Sequence, residues 1–135
     1  MQPPSVDAAS WVGALTRVEL TVTDADTAQA LGSGDVPVLA TPRLLALAEA
    51  ATVGATASRL PPGYTTVGTR ADLEHRVATP IGGRVVAEAR LAKADGRRLM
   101  FEIVVRDANR VVAEGRVERV IVERARFLAK ALEPS

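Results

Sequence analysis

Three residues of this chain have the side chains of a nucleophile, acid and base set: Thr41, Glu49 and His75. His75 is the only histidine in 135 residues. Glu49 is the only charged residue in the stretch 44–58, which is otherwise rich in Ala, Leu and small side chains. Thr41 directly precedes Pro42, where that stretch begins. A hydroxyl, a carboxylate and an imidazole can together attack a carbonyl and manage its protons. Glu49 and His75 fall on otherwise apolar patterns, where an ionisable group is costly without a purpose. Each also has a plain structural reading. Thr41 can be a helix N-cap. Glu49 can point into solvent or meet an Arg from a strand. His75 can be a core or interface histidine with one hydrogen bond. The functional case is the joint one, in which all three line the surface between a helix and a sheet.

The elements that would position them follow from the pattern. Residues 15–22 alternate (Leu15, Val18, Leu20 and Val22 against Thr16, Arg17, Glu19 and Thr21) and predict a first strand with an irregularity at Thr16–Arg17. Residues 1–9 read as a loose N-terminus, and 23–37 as a loop or lid containing Gly32, Ser33 and Gly34. Thr41–Pro42 starts a helix, with Thr41 as N-cap, running to about Ser58 and ended by Pro61, Pro62 and Gly63. Its apolar residues (Leu44, Leu45, Leu47, Ala48, Ala51, Val53 and Ala55) go nearly all round, so it should be buried on every side. The rest is β: 65–78, 84–93, 97–107 and 110–122, with turns at Gly82-Gly83, Asp95-Gly96 and Ala108-Asn109, then a short closing helix over 123–132. In 65–78 strict alternation puts Val67, Thr69, Ala71, Leu73, His75 and Val77 on one face, and Gly68, Arg70, Asp72, Glu74 and Arg76 on the other.

One strand, an apolar helix and four more antiparallel strands have a compact solution. The sheet curls around the helix, an α+β arrangement known as the hotdog fold, with about five strands and one long central helix. Edge strands of such a sheet are protected by pairing across subunits, which predicts at least a homodimer and leaves room for a tetramer. The length suits a single domain over 1–135.

The bulk composition narrows function. Seventeen basic and 16 acidic residues are interleaved for a net charge of +1, so no basic stripe marks a nucleic-acid partner. Aromatics are 3% of the chain, too few for base stacking. The absence of cysteine excludes disulfides, thiolate metal sites and cysteine nucleophiles, and with one histidine no zinc site is expected. No apolar run reaches membrane-spanning length and no secretory signal opens the chain, so a cytoplasmic protein is expected.

The segment Val38-Leu39-Ala40-Thr41, followed by the small-residue stretch carrying Glu49, resembles the fluoroacetyl-CoA thioesterase family of hotdog proteins. So do Thr66-Val67-Gly68-Thr69 leading to His75, Ala78-Thr79-Pro80, Gly82-Gly83, Gly96-Arg97-Arg98-Leu99 and Glu118-Arg119-Val120-Ile121-Val122. The resemblance spans about 38–127. It implies Thr41, Glu49 and His75 as the catalytic set and Gly68 near the active site. It also implies hydrolysis of an acyl-CoA thioester at or near a dimer interface, without a metal and with coenzyme A only as part of the substrate. The resemblance departs at 32–37, where the family's fluoroacetyl-specific enzyme has phenylalanines and this chain has no aromatic residue. A short or medium acyl group is therefore expected rather than fluoroacetyl selectivity.

The developing oxyanion needs donors. The backbone N–H groups after Pro42, those of Arg43 and Leu44, lie at the positive end of the helix. The N–H of Gly68 is the other choice, because glycine allows close approach. Arg84, Arg97, Arg98 and Arg119 are cations available to coenzyme A phosphates by composition alone, and each reads first as an ordinary surface residue. Two other functions fit the same fold: a non-catalytic acyl-CoA or small-ligand binder, and a hydratase or dehydratase that leaves the thioester intact.

Overall fold

Alternating apolar residues in the five β segments build one antiparallel sheet, and the Ala-rich helix packs into its concave side. The computed structural model describes residues 6–134. In chain order its main elements are β1 (Leu15–Thr21), α1 (Ala28–Leu31), α2 (Thr41–Thr56), β2 (Tyr64–His75), β3 (Arg84–Asp95), β4 (Arg98–Arg106), β5 (Val111–Glu123) and α3 (Arg124–Ala131). The strand order is β1-β3-β4-β5-β2, with every neighbouring pair antiparallel, so β1 and β2 are the edges. This is the hotdog architecture. The β3–β4 turn uses Gly96 at φ 59°, a left-handed value that only glycine adopts cheaply.

Leu44, Leu47, Ala48, Ala51 and Ala55 of α2 bury against Val85, Ala87, Ala89, Leu91, Phe101 and Ile103 of the sheet. Small residues let helix and sheet approach closely. A Cβ at Gly54 would stand 2.9 Å from Thr16 Cγ2 on β1. α2 is seated chiefly over β1 and β3. Here the structure corrects the sequence reading. One face of α2 is buried, while Ala46, Ala50 and Val53 are exposed, Val53 by 45%. The apolar stripe is wide because alanine is tolerated on either face, and composition alone cannot separate the two. The helix also ends at Thr56 rather than Ser58, because the chain tightens into a 3-10 turn at Ala57–Arg59 before the two prolines.

Three smaller expectations change as well. β1 pairs with β3 in unbroken register, with no irregularity at Thr16–Arg17; Leu15 faces outward and Thr16 faces the helix. Ala8 and Ala9, expected in a loose N-terminus, belong to a 3-10 turn at Ala8–Trp11 in which Ala8 is 1% exposed; residues 1–5 lie outside the described residues. Within the 23–37 segment, α1 and a 3-10 turn at Asp24–Asp26 are formed, and residues 32–37 are exposed.

The feature that matters most for the site is a bulge in β2. The pairing runs Thr66 with Ile121 and Gly68 with Arg119, then shifts so that Ala71 pairs with Val117 and His75 with Ala113. Thr69 is the extra residue, and its hydroxyl donates to the Glu118 carbonyl at 3.2 Å. A bulge reverses which side chains face inward beyond it. Before it the even residues Thr66 and Gly68 face α2; after it the odd residues Leu73 and His75 do. Strict alternation had set Gly68 and His75 on opposite faces. The bulge puts them on the same one.

Candidate active site

Thr41 and His75 meet. Thr41 Oγ1 lies 2.8 Å from His75 Nδ1, although 34 residues separate them. The reason is local. Ala40, at φ −70° and ψ 140°, is the N-cap, and Thr41 is the first helical residue. The Thr41 hydroxyl therefore does no capping, contrary to the sequence reading, and is free to face the strand. Leu39 and Ala40 are buried, and a bridge from Val38 to Pro80 holds the chain against the segment that follows His75. Arg43 fixes the approach from the other side. Its Nε donates to Asp26 Oδ1 at 2.9 Å. The Thr23 N–H is the main influence holding Asp26 below the usual carboxylate range, with the Thr23 hydroxyl and Arg43 adding to it.

The remaining ring nitrogen, Nε2 of His75, is buried with no hydrogen-bond partner among the described residues. Burial lowers the His75 pKa below its ordinary 6.5, against a weaker opposing pull from the backbone of Val77. The imidazole is thus neutral near pH 7 and able to take a proton.

Glu49 belongs to a different cluster. It sits two turns after Thr41, roughly 12 Å along the helix axis, and its Oε2 lies 3.5 Å from Arg119 Nη1. The Glu49 side chain is 41% exposed, whereas that of Arg119 is 8% exposed. Arg119 Nε donates to Thr66 Oγ1 at 2.9 Å and Nη2 to the Thr66 carbonyl at 3.0 Å. Burial lowers the Arg119 pKa and the Glu49 charge opposes that. Gly68 closes the cluster: a Cβ there would stand 2.9 Å from Glu49 Oε2 and 3.5 Å from Arg119 Nη1. One chain therefore carries two separate clusters, Thr41 with His75 and Glu49 with Gly68 and Arg119, on the same side of the sheet.

Two sequence expectations need revision. The Leu44 N–H donates to the Ala40 carbonyl at 2.9 Å, so it is not an oxyanion donor. Of the pair after Pro42, only the Arg43 N–H stays without a backbone partner among the described residues. Arg119 is no surface cation. It is buried against Thr66, and the signal that could have shown it is its place between Val117 and Ile121 on the inward side of β5. Arg84 and Arg98 are exposed, and Arg84 pairs with Glu19. Among the described residues no cluster of three or more His, Cys, Asp or Glu side chains could hold a metal, and no helix is long and apolar enough to cross a membrane.

A family model described as fluoroacetyl-CoA-specific thioesterase matches residues 22–125. The fluoroacetyl-CoA thioesterase of Streptantibioticus cattleyicolor is 36% identical over 93 residues, which is 69% of this chain and 67% of that protein. A solved structure of a fluoroacetyl-CoA thioesterase variant in complex with acetyl-CoA superposes with a TM-score of 0.84 at 29% identity, covering 89% of this chain and 95% of that one. A hot-dog-like protein from Thermanaerovibrio acidaminovorans, at 21% identity, shares the fold with a TM-score of 0.85 over 96% of this chain and 99% of its own.

Proposed function

This chain belongs to the fluoroacetyl-CoA-specific thioesterase family and is a thioester hydrolase; from that premise we propose that it hydrolyses short or medium acyl-CoA thioesters at a site completed by two copies of the chain. The single observation that carries the reading is the 2.8 Å contact between the Thr41 hydroxyl and Nδ1 of a partly buried, neutral His75. In the proposed reaction His75 takes the Thr41 proton as the Thr41 oxygen attacks the thioester carbonyl. The tetrahedral intermediate collapses, the C–S bond breaks, and the coenzyme A sulfur leaves with the proton carried by His75. Water, deprotonated by the same imidazole, then attacks the Thr41 ester; the acyl C–O bond breaks, the imidazolium returns its proton to the Thr41 oxygen, and the acid is released. The N–H groups of Arg43 and Gly68 are the candidate oxyanion donors.

The two half-sites call for a second copy. β2 is an edge strand, and its residues 68–72 are exposed. Antiparallel pairing of two such strands about a two-fold axis near their middle sets the His75 end of one beside the Thr65 to Gly68 stretch of the other. Thr41 and His75 of one copy then face Glu49, Gly68 and Arg119 of the second. The Glu49 carboxylate, steadied by Arg119, would stabilise the imidazolium that forms during attack. The exposed 32–37 segment has no aromatic residue to close over the acyl group, which supports a broad acyl range.

The test is thiol release from a panel of acyl-CoAs of varied chain length. His75→Ala should lower turnover by about 10²–10⁴. Hydrolysis that survives this change at the wild-type rate rejects the assignment, and acyl-CoA binding without thiol release favours a pure binder. Mixing tests the shared site. His75→Ala and Glu49→Gln chains, each inactive alone, should recover turnover when unfolded together and refolded, because one composite site per mixed dimer keeps both groups. No recovery means that each site is built within one chain.

A further inference from the structure

α2 begins without a capping side chain. Ala40 holds the N-cap position, and its methyl group can accept no hydrogen bond. A serine, threonine or aspartate there would accept from the N–H of the second or third helical residue. The second is Pro42, which has no N–H, so such a cap could take only the N–H of Arg43. That N–H is the candidate oxyanion donor, and it has no backbone partner among the described residues. An ordinary cap would occupy it.

The first turn of α2 is held from outside instead. Asp26 reaches it at two points. The Asp26 carbonyl accepts the Ala40 N–H at 2.9 Å, and Asp26 Oδ1 accepts from Arg43 Nε at 2.9 Å. The other carboxylate oxygen, Oδ2, accepts the Thr23 N–H at 2.8 Å and the Thr23 hydroxyl at 2.9 Å, which orients the carboxylate toward Arg43. The setting is unusual for this chain. The Asp26 side chain is 11% exposed and that of Arg43 32%. Among the described residues the other ion pairs, Glu49–Arg119 apart, use arginines that are at least 44% exposed. A carboxylate withdrawn from water is costly unless its bonds are complete, and here they are completed at the uncapped start of the helix. Thr41 follows one of the two anchor points, Ala40, and precedes the other, Arg43. Fixing both fixes where the Thr41 hydroxyl points, 2.8 Å from His75 Nδ1.

We propose that Asp26 is a positioning residue that stands in for the absent helix cap: it clamps the first turn of α2 through Ala40 and Arg43, sets Thr41 against His75, and leaves the Arg43 N–H open to the oxyanion. The proposal rests on the thioesterase reading for the use of that N–H, and the test separates the two. In Asp26→Asn, kcat for an acyl-CoA should fall about tenfold or more while KM stays within about twofold, as misplacement of reacting groups predicts. Arg43→Lys, which keeps a cationic donor for Asp26, should retain more kcat than Arg43→Met. Ala40→Ser installs the missing cap. It should hold or raise the thermal midpoint, yet lower kcat toward the loss of about 10²–10³ that follows removal of one oxyanion donor. Amide hydrogen exchange reads the same turn without turnover. The Arg43 amide should exchange fast in the wild type and slowly in Ala40→Ser. The Leu44 amide, which closes the first turn on the Ala40 carbonyl, should lose protection in Asp26→Asn. A lower unfolding midpoint in Asp26→Asn with kcat unchanged makes the pair merely structural and overturns the proposal. So does an Ala40→Ser enzyme as fast as the wild type with its Arg43 amide protected. If the wild type releases no thiol from any acyl-CoA, the thioesterase reading fails on its own; the clamp is then judged by Leu44 exchange, and protection unchanged in Asp26→Asn overturns it.

Discussion

At the scale of single residues, the proposed chemistry rests on one short contact and one partly buried ring. If Thr41 is the nucleophile, Thr41→Val removes the hydroxyl at constant shape and should abolish turnover, while Thr41→Ser should keep a large part of it. Rapid-quench mass spectrometry of the wild type should show an ester on Thr41, and its absence during steady turnover would favour direct attack by water. The pH profile follows from the sign of the His75 shift. Burial disfavours the charged ring, so the acid limb of kcat/KM should have its midpoint below 6.5. A midpoint above 7 contradicts a buried neutral base. Gly68→Ala places a methyl 2.9 Å from Glu49 Oε2, at the end of a side chain that can swing away. It should cost activity with little loss of thermal stability. These residues were legible in the sequence because their types were out of place: a lone imidazole and a lone carboxylate on apolar patterns. The buried position of Arg119 was less legible, since arginines are frequent here and only the parity of β5 sets this one apart.

At the scale of elements, strand and helix identities followed from period and punctuation, whereas a count of alternation could not see the β2 bulge. The shift exists only in the pairing between β2 and β5, where Gly68 opposite Arg119 is followed by Arg70 opposite Glu118. Deleting Thr69 would restore regular alternation and turn His75 or Thr66 away from α2. The deletion variant should keep its antiparallel sheet by circular dichroism and lose thiol release; wild-type activity there would show that the bulge has no role in placing His75. β5 offers a contrasting test. A Cβ at Gly115 would overlap the Asp72 carbonyl oxygen, a backbone atom that cannot swing aside. Gly115→Ala should therefore lower the unfolding free energy by about 1–3 kcal/mol or more, as overpacking does, measurable by chemical denaturation. An unchanged midpoint would mean that β2 and β5 can separate locally at no expense. Helix burial was misjudged for a related reason: Ala46 and Ala50 resemble Ala48 and Ala51 in composition, and only the sheet's position distinguishes them.

At the scale of the whole molecule, folding stability and protonation are linked through the same histidine. The unfolded ring takes up a proton near 6.5, and the folded ring resists it. The unfolded state then binds more protons below that pH. Stability should be full above 6.5 and decline as the pH falls through the folded pKa. The effect is small for a ring that keeps some contact with solvent. Denaturation midpoints of wild type and His75→Gln at pH 5 and pH 8 measure it: the wild type should lose more between the two, and equal losses would remove the linkage. The seating of α2 over β1 and β3 has a longer consequence. The helix thus rests on one half of the sheet, while the Thr41–His75 and Glu49–Arg119 pairs stand toward the other, beside the edge strand β2. Truncating a side chain on β2 should therefore disturb the seat of the helix less than the same truncation on β3.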